Sequence, residues 1–594
     1  MRNLKRALSL ALAAIMLIGM MVVSASAAGF DDFSDKDEIV NKDAVSMLTT
    51  LGVINGKEDG SYFDPTGNVT RAEMAKMIAT VLNQGADVDG LYVGMNTGLT
   101  DVKGHWAESY INYCYSLGII AGRGNGKFDP AATVTGNEAA KMLLVAAGYD
   151  AQLEGLTGND WAIKTASLAS TLGIFDNLSV ATSDPLTRDN AALLIYNALD
   201  IEMIQKYENG YAIAFTDHRT LLSAKYGVYK IEGVVVSNEE AALNNTDSDF
   251  ASAKGKTTME NVKVYASTTS NTTTGEYEEV KGQVVFNVST TADMLGKTVT
   301  MYIEKTTILS DSKVLGVSTK DDVNVINATA ATQSTVKDYL KGTGVAVTKG
   351  TEFYVNYGYC KTEEDAHNLI NDYSYAANNS DKFNLNGVDV EIIDNNNDGD
   401  AEYVLFTRET LSEVRTYSEK NETISFYAPG YDKNNELANK TVTETEDFED
   451  VVFNDEVTTD DLILYVQYGG RTYISAPEVV TGKMTRVDRD KADELFITVD
   501  GEEYRQSYIL DAASLVDVDL TRFDIADAKN EPGFDNSYDF VLDSNGYVIA
   551  IRPAEEVVTN YALVVDSAWT LNALDRSGQV KILMTDGTVK IGRA

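Results

Sequence analysis

"NVTRAEMAKMIATVLN", residues 68–83, reads as a helix whose first turn is written into the sequence. Thr70 and Glu73 make the S/T-x-x-E pattern, in which two side chains satisfy N–H groups that a helix start leaves open. Met74, Met77, Ile78, Val81 and Leu82 then fall on one face, so the helix must bury that face. Arg71 resists this simple reading. It sits in the first turn, where the peptide dipoles already present partial positive charge and a cation is disfavoured by roughly 0.3–1 kcal/mol. A guanidinium beside open N–H groups makes a joint anion site. The alternative is that Arg71 pairs with a neighbouring carboxylate or snorkels over the surface.

The pattern recurs twice. Pro65 in "FDPTGNVTRAE", Pro130 in "FDPAATVTGNE" and Pro185 in "SDPLTRDN" each follow an aspartate, and each turn leads to a threonine able to cap a helix: Thr70, Thr135 and Thr187. Upstream, Trp106, Tyr110, Ile111, Cys114 and Leu117 precede Gly118, and Trp161, Thr165, Ala166, Ala169 and Leu172 precede Gly173. Val40, Ala44, Val45, Leu48 and Leu51 precede Gly52 at the same offsets. These glycines fit the left-handed position that ends a helix. Each unit is therefore helix, Gly-rich loop, Asp-Pro turn and capped helix. Units so small cannot bury a core alone, and the three are expected to pack together.

This pattern resembles the S-layer homology (SLH) family, whose repeats run Phe-x-Asp-Val, Trp-Ala, Leu-Gly-Ile, Gly-x-Phe-x-Pro and Thr-Arg-Ala-Glu. The resemblance covers about residues 30–200. It implies an all-α pseudo-threefold bundle that binds the pyruvylated secondary polymer of a Gram-positive-type wall and holds the protein there without a covalent bond. Matched to the motif, the glycan-binding candidates are Asp35 and Arg71 in the first repeat, Asp101 and Trp106 in the second, and Trp161 and Arg188 in the third. No repeat is complete: Gly136 replaces the arginine of the second, Leu156 the aspartate of the third, and Val40 the tryptophan of the first. Arg123 in "AGRGNGKFDP" is the candidate to replace the missing cation of the second repeat. Because the family's grooves lie between neighbouring repeats, the resemblance implies one or two composite sites rather than three. Trp106 and Trp161 serve either as core residues or as platforms for sugar.

The ends and the composition fit export. "MRNLKRALSLALAAIMLIGMMVVSASAAGF" has a basic start, an apolar stretch and small residues for cleavage, so residues 1–28 read as a signal peptide. No later run approaches the ~18 apolar residues of a membrane span. Ninety acidic residues against 49 basic ones give a formal charge of -41, which excludes nucleic acid as a natural partner and suits an extracellular surface. Cys114 and Cys360 lie far apart and read as free thiols.

The expected layout is multidomain: signal peptide 1–28, repeats at 29–85, 86–150 and 151–205, then a β-rich body over 206–594. In the body "YKIEGVVVS", "GKTVTMYIE", "DLILYVQY", "ELFITVDGEEY" and "NYALVVDS" read as strands, and Asn545-Gly546 as a hairpin turn. Two to four mostly antiparallel modules are expected. The chain stops at "GTVKIGRA" without a legible closing element, as a truncated product would. Asp394, Asn396, Asp398 and Asp400 alternate in "IIDNNNDGDAEYVLF", resembling the start of a calcium loop, although Leu405 stands where that loop needs its last glutamate. A plain Asn/Asp/Gly hairpin is the alternative. Three histidines cannot build a His-rich zinc site, and no HExxH, CxxC, P-loop or GxSxG pattern is present. The sequence thus points to a secreted, non-enzymatic protein of the cell wall or S-layer whose body self-associates or displays a binding surface. The rival reading is a wall-anchored enzyme acting on polysaccharide, or a carbohydrate-binding adhesin.

Overall fold

The computed structural model describes residues 30–593 apart from 31–32, 58–59, 244–251, 267–276, 330–334, 372–385, 428–442, 490–494, 506, 508–536, 555–561, 573–574 and 585–588. The signal peptide expected at 1–28 lies outside the described residues.

The three repeats form three helix pairs: α1 (Lys42–Thr50) with α2 (Arg71–Leu82), α3 (Glu108–Ser116) with α4 (Gly136–Ala146), and α5 (Trp161–Thr171) with α6 (Arg188–Leu199). The second helix of each pair starts where its threonine stands. Thr70 and Thr135 form full capping boxes with Glu73 and Glu138, and Thr187 Oγ1 accepts from the Asn190 N–H at 3.2 Å. Gly52, Gly118 and Gly173, each following the last residue of a first helix's cap, have φ of 70°, 73° and 76°. Only a residue without Cβ takes that conformation freely.

What joins the repeats is a ring of backbone bonds at the centre. Val69 N–H donates to Leu186 O (2.9 Å), Leu186 N–H to Val134 O (2.9 Å), and Val134 N–H to Val69 O (3.0 Å), closing on itself. All three side chains are fully buried. Outside the ring, the first-turn amides of each capped helix donate to the Asp-Pro turn of the next repeat. Arg71 N bonds to Ala132 O and Ala72 N to Pro130 O; Gly136 N bonds to Asp184 O and Asn137 N to Thr182 O; Arg188 N bonds to Gly67 O and Asp189 N to Pro65 O. The order is therefore cyclic, first to second to third to first.

The core of this bundle does not stop at residue 205. Leu221 and Leu222 of α7 (Leu221–Tyr226), Val228, Tyr302 and Leu315 belong to the same buried cluster, and a hairpin of Ile204–Glu208 with Tyr211–Ala214 adds strands beside the helices. The helical bundle and the start of the β body share one core.

Among the described residues the body holds four successive sheets with buried clusters, then a three-stranded sheet over Ala562–Arg593. Pairing is mostly antiparallel, but Ala346–Val355 runs parallel to Asp400–Thr407, and Val451–Phe453 parallel to Arg471–Ser475. The turn expected at Asn545-Gly546 joins Ser537–Leu542 to Val548–Pro553. Cys114 and Cys360 are both buried and free. Among the described residues, no helix is long and apolar enough to cross a membrane.

Candidate functional site

Asp35, Arg71, Asp101, Arg123 and Arg188 gather at two seams between repeats. In the first repeat both Asp35 oxygens accept backbone N–H groups, from Phe63 at 2.9 Å and Asp64 at 2.8 Å. Asp101 does the same for Phe128 (2.9 Å) and Asp129 (2.8 Å) in the second. Each carboxylate thereby holds a Phe-Asp-Pro turn whose aspartate has a left-handed backbone, φ 63° at Asp64 and 56° at Asp129. Burial works against the Asp101 charge, yet its backbone N–H bonds outweigh this and keep the carboxyl below its usual range.

Each turn is then clasped by the arginine of the preceding repeat in the cycle. The Arg71 guanidinium lies over the Phe128 ring, 4.5 Å from its centre. Its Nε donates to Phe128 O at 2.9 Å, one terminal nitrogen donates to Ala121 O at 3.5 Å, and the other meets Glu138 at 3.2 Å. Arg188 repeats this on the first repeat: 5.0 Å over Phe63, with Nε to Phe63 O at 2.8 Å and a terminal nitrogen to Asn55 O at 3.2 Å. Glu73, Asp64 and Asp35 are its electrostatic partners. Burial pulls both guanidinium groups below their usual value, and the nearby carboxylates oppose this.

This geometry answers the question raised by Arg71 and corrects the expected anion site. The N–H groups beside Arg71 are not open: Arg71 and Ala72 donate to the neighbouring turn, and Glu73 N–H to its own cap. The arginine is a buried clamp between repeats. Arg123 also lies elsewhere than expected. It reaches Glu138 (3.3 Å) and Asp129 (3.5 Å), so it joins Arg71 in the seam between the first and second repeats instead of replacing a cation at Gly136. Lys57, paired with Asp64, holds the matching place in the seam between the third and first. These two side chains are partly accessible, 40% and 35% exposed.

The third seam lacks the whole set. Where an arginine would stand, a Cβ on Gly136 would lie 2.9 Å from Thr182 O and 3.0 Å from Thr182 Cα. Ser183 replaces the phenylalanine, Leu156 is fully buried in place of the fork aspartate, and Asn190 replaces the glutamate. Trp106 is a surface residue, 54% exposed beside His105 and Tyr110. Trp161 is half-buried, with the Lys141 ammonium 5.4 Å over its ring.

In the body, Asp394, Asn396, Asp398 and Asp400 form a hairpin turn. Asp394 accepts from Asp398 and Gly399 N–H, Asn396 from Asp398 N–H, and Asp398 from Asp400 N–H. The carboxylate oxygens that converge, all within 4.8 Å of one another, are those of Asp394, Asp398 and Glu402. The cluster thus includes Glu402, which the alternating Asp/Asn pattern does not mark, and leaves out Asp400. Burial, and then repulsion from Asp394 and Asp398, push the Glu402 carboxyl up, although backbone N–H bonds from Asn395 and Glu402 itself oppose the shift.

The S-layer homology domain family matches residues 32–75 and 98–140, the two segments that carry the carboxylate forks. The chain is 32% identical over 215 residues to a cell surface protein of Thermoanaerobacter kivui, covering 35% of this chain and 26% of that protein. It is 26% identical over 335 residues to the S-layer protein sap of Bacillus anthracis, covering 52% and 36%. An amylopullulanase of Thermoanaerobacterium thermosulfurigenes is 31% identical over 183 residues, covering 28% and 9%. The chain spans about a quarter to a third of the length of the two surface proteins.

Proposed function

We propose that this chain, an S-layer homology protein of the cell surface, is fixed non-covalently to the wall by two of its three inter-repeat grooves, which take the carboxylate-bearing sugars of a pyruvylated secondary polymer. The observation that carries the proposal is the repetition of one constellation at two seams: a buried arginine clamp, a fork aspartate and an accessible cation, Arg123 or Lys57. A ketal carboxylate entering either groove would take over the accessible cation from its aspartate partner, Asp129 or Asp64. The clamp arginines keep the groove shaped while this exchange occurs. Since both the bound and the free groove pair the cation, binding gains chiefly from contacts to the sugar and from added hydrogen bonds.

The body is proposed to be non-enzymatic and to self-associate at the surface, with calcium held by Asp394, Asp398 and Glu402. Three converging carboxylates support a hard, oxygen-seeking cation there. Release of reducing sugars from polysaccharide by the purified full chain would favour the enzyme reading that the amylopullulanase likeness raises.

The test of anchoring is co-sedimentation of the full chain with purified Gram-positive walls, before and after acid extraction of their secondary polymer. Binding is expected to vanish on extraction. The double variant Arg123→Gln, Lys57→Gln is expected to bind intact walls about tenfold or more weakly, while its melting temperature stays nearly constant because half-exposed ion pairs contribute only about 0–1 kcal/mol. Equal sedimentation with both wall preparations would overturn the reading.

A further inference from the structure

Three parts of the body meet at a cleft of about 490 Å³, far along the chain from the repeats. The turn Val355–Gly358 comes from one sheet, the hairpin around Tyr468–Arg471 from the next, and residues 241–242 from the first. They are docked closely: a Cβ on Gly469 would lie 1.4 Å from Glu240 O, so only glycine allows this approach.

The Val355–Gly358 turn has left-handed backbone at both central residues, φ 47° at Asn356 and 63° at Tyr357. Such a two-residue hairpin turn accepts asparagine readily, but its second position normally holds glycine. A tyrosine there is strained, and strain of this kind gathers where a side chain is needed in one place. The ring held there meets Tyr468 edge-on, with centroids 4.9 Å apart at 68°, and Tyr468 stacks on Tyr473 at 4.2 Å and 15°. Tyr357 and Tyr468 both line the cleft.

Strand Thr443–Asp447 supplies carboxylates. Glu444 and Glu446, two residues apart and so on one face, are half-buried and line the cleft, whereas Thr445 and Asp447 between and beyond them are exposed. Gln467 donates to Glu444 at 2.7 Å, and Arg408 and Arg471 add guanidinium groups to the lining.

We propose that this cleft binds an uncharged oligosaccharide. The C–H face of a pyranose packs on a tyrosine ring, and its hydroxyls donate to carboxylates while accepting from amide and guanidinium groups. Glutamate, glutamine and arginine side by side match that mixed demand. Two carboxylates, Glu444 and Glu446, are matched in number by two guanidinium groups, Arg408 and Arg471, so the lining has no net charge to favour an ion, and an apolar ligand would desolvate these charges without replacing their hydrogen bonds. The inference does not depend on the wall grooves, which are built from other residues and take a charged group.

The test uses the full chain with maltohexaose, cellohexaose and chitohexaose, each titrated calorimetrically and then followed by amide hydrogen exchange. One of the three is expected to bind saturably and to slow exchange at 355–358 and 465–472. Glu446→Gln, nearly isosteric, and Gln467→Ala are each expected to weaken binding about tenfold, the size of one hydrogen bond to a charged or polar partner. Near-ultraviolet circular dichroism identifies a variant that has lost its fold, and the other then carries the test. Absence of saturable binding by all three sugars, protection confined to other segments, or unchanged affinity in both folded variants would overturn the proposal.

Discussion

Two seams of the bundle keep arginine, phenylalanine, aspartate and glutamate together, and the third has glycine, serine, leucine and asparagine at the same four places. Substitutions that look like scattered decay within individual repeats become one coherent change when assigned to the seam where the residues meet. An arginine at 136 would have no ring to cover and no Glu to pair with, and the close approach of Thr182 leaves no room for its Cβ. Conversely, a lone loss at either charged seam would strand a buried charge, which is far more harmful than replacing the whole set by neutral groups. The difference teaches that the residues which change together are those of one contact between repeats.

The harshest way to break this comparison is to make a charged seam resemble the neutral one by a single change. Arg71→Ala leaves Phe128 O and Ala121 O without their donor and Glu138 without that partner; Arg188→Ala does the same to Phe63 O and Asn55 O. Each is expected to destabilise the bundle by about 2–3 kcal/mol. That corresponds to a fall of roughly 5–10 °C in the helical circular dichroism melt. An unchanged melt for both would mean that the clamps are dispensable and that the charged and neutral seams differ only in appearance.

The converse change sharpens the comparison with a smaller effect. Gly136→Arg is expected to destabilise by about 1–3 kcal/mol through crowding against Thr182. Adding Asn190→Glu is expected to leave that loss in place, because the missing ring and the tight backbone approach remain. Recovery of the parent melting temperature in the double variant would show that the third seam is a groove lacking only its charges.

How much of this was legible in sequence follows from the reach of each interaction. Thr70 with Glu73, the glycines at 52, 118 and 173, and the Asp-Pro turns act within a few residues, and the chain displays them directly. Arg71 finds Phe128 57 residues away and Arg188 finds Phe63 125 residues away. Those partnerships depend on cyclic closure, so the sequence alone does not show that Arg123 reaches Glu138 and Asp129 or that Lys57 reaches Asp64 beside the clamped turn. The parallel pairing of Ala346–Val355 with Asp400–Thr407 is equally non-local and leaves the antiparallel strand pattern unaltered. Trp106 illustrates a different limit, since its helical spacing allowed a core role that its exposure excludes.

Charge balance extends the comparison into the body. At the seam between the first and second repeats Arg71 and Arg123 both reach Glu138, whereas the Asp394, Asp398 and Glu402 oxygens converge with no Lys or Arg ion pair to them among the described residues. Glu402 escaped the calcium-loop pattern because the chain turns back as a hairpin, so the ninth loop position returns to the cluster and the twelfth, Leu405, enters the core. Glu402→Gln keeps an oxygen able to accept the Asn395 N–H and removes one like charge. In chelator its body is therefore expected to melt at the parent temperature or slightly above. In millimolar calcium it is expected to melt a few degrees below the parent, the magnitude that loss of about 1–2 kcal/mol of linked cation binding produces. Equal behaviour of parent and variant in both buffers would leave the loop as a hairpin held by its backbone bonds, and charge imbalance would then cease to distinguish the body from the grooves.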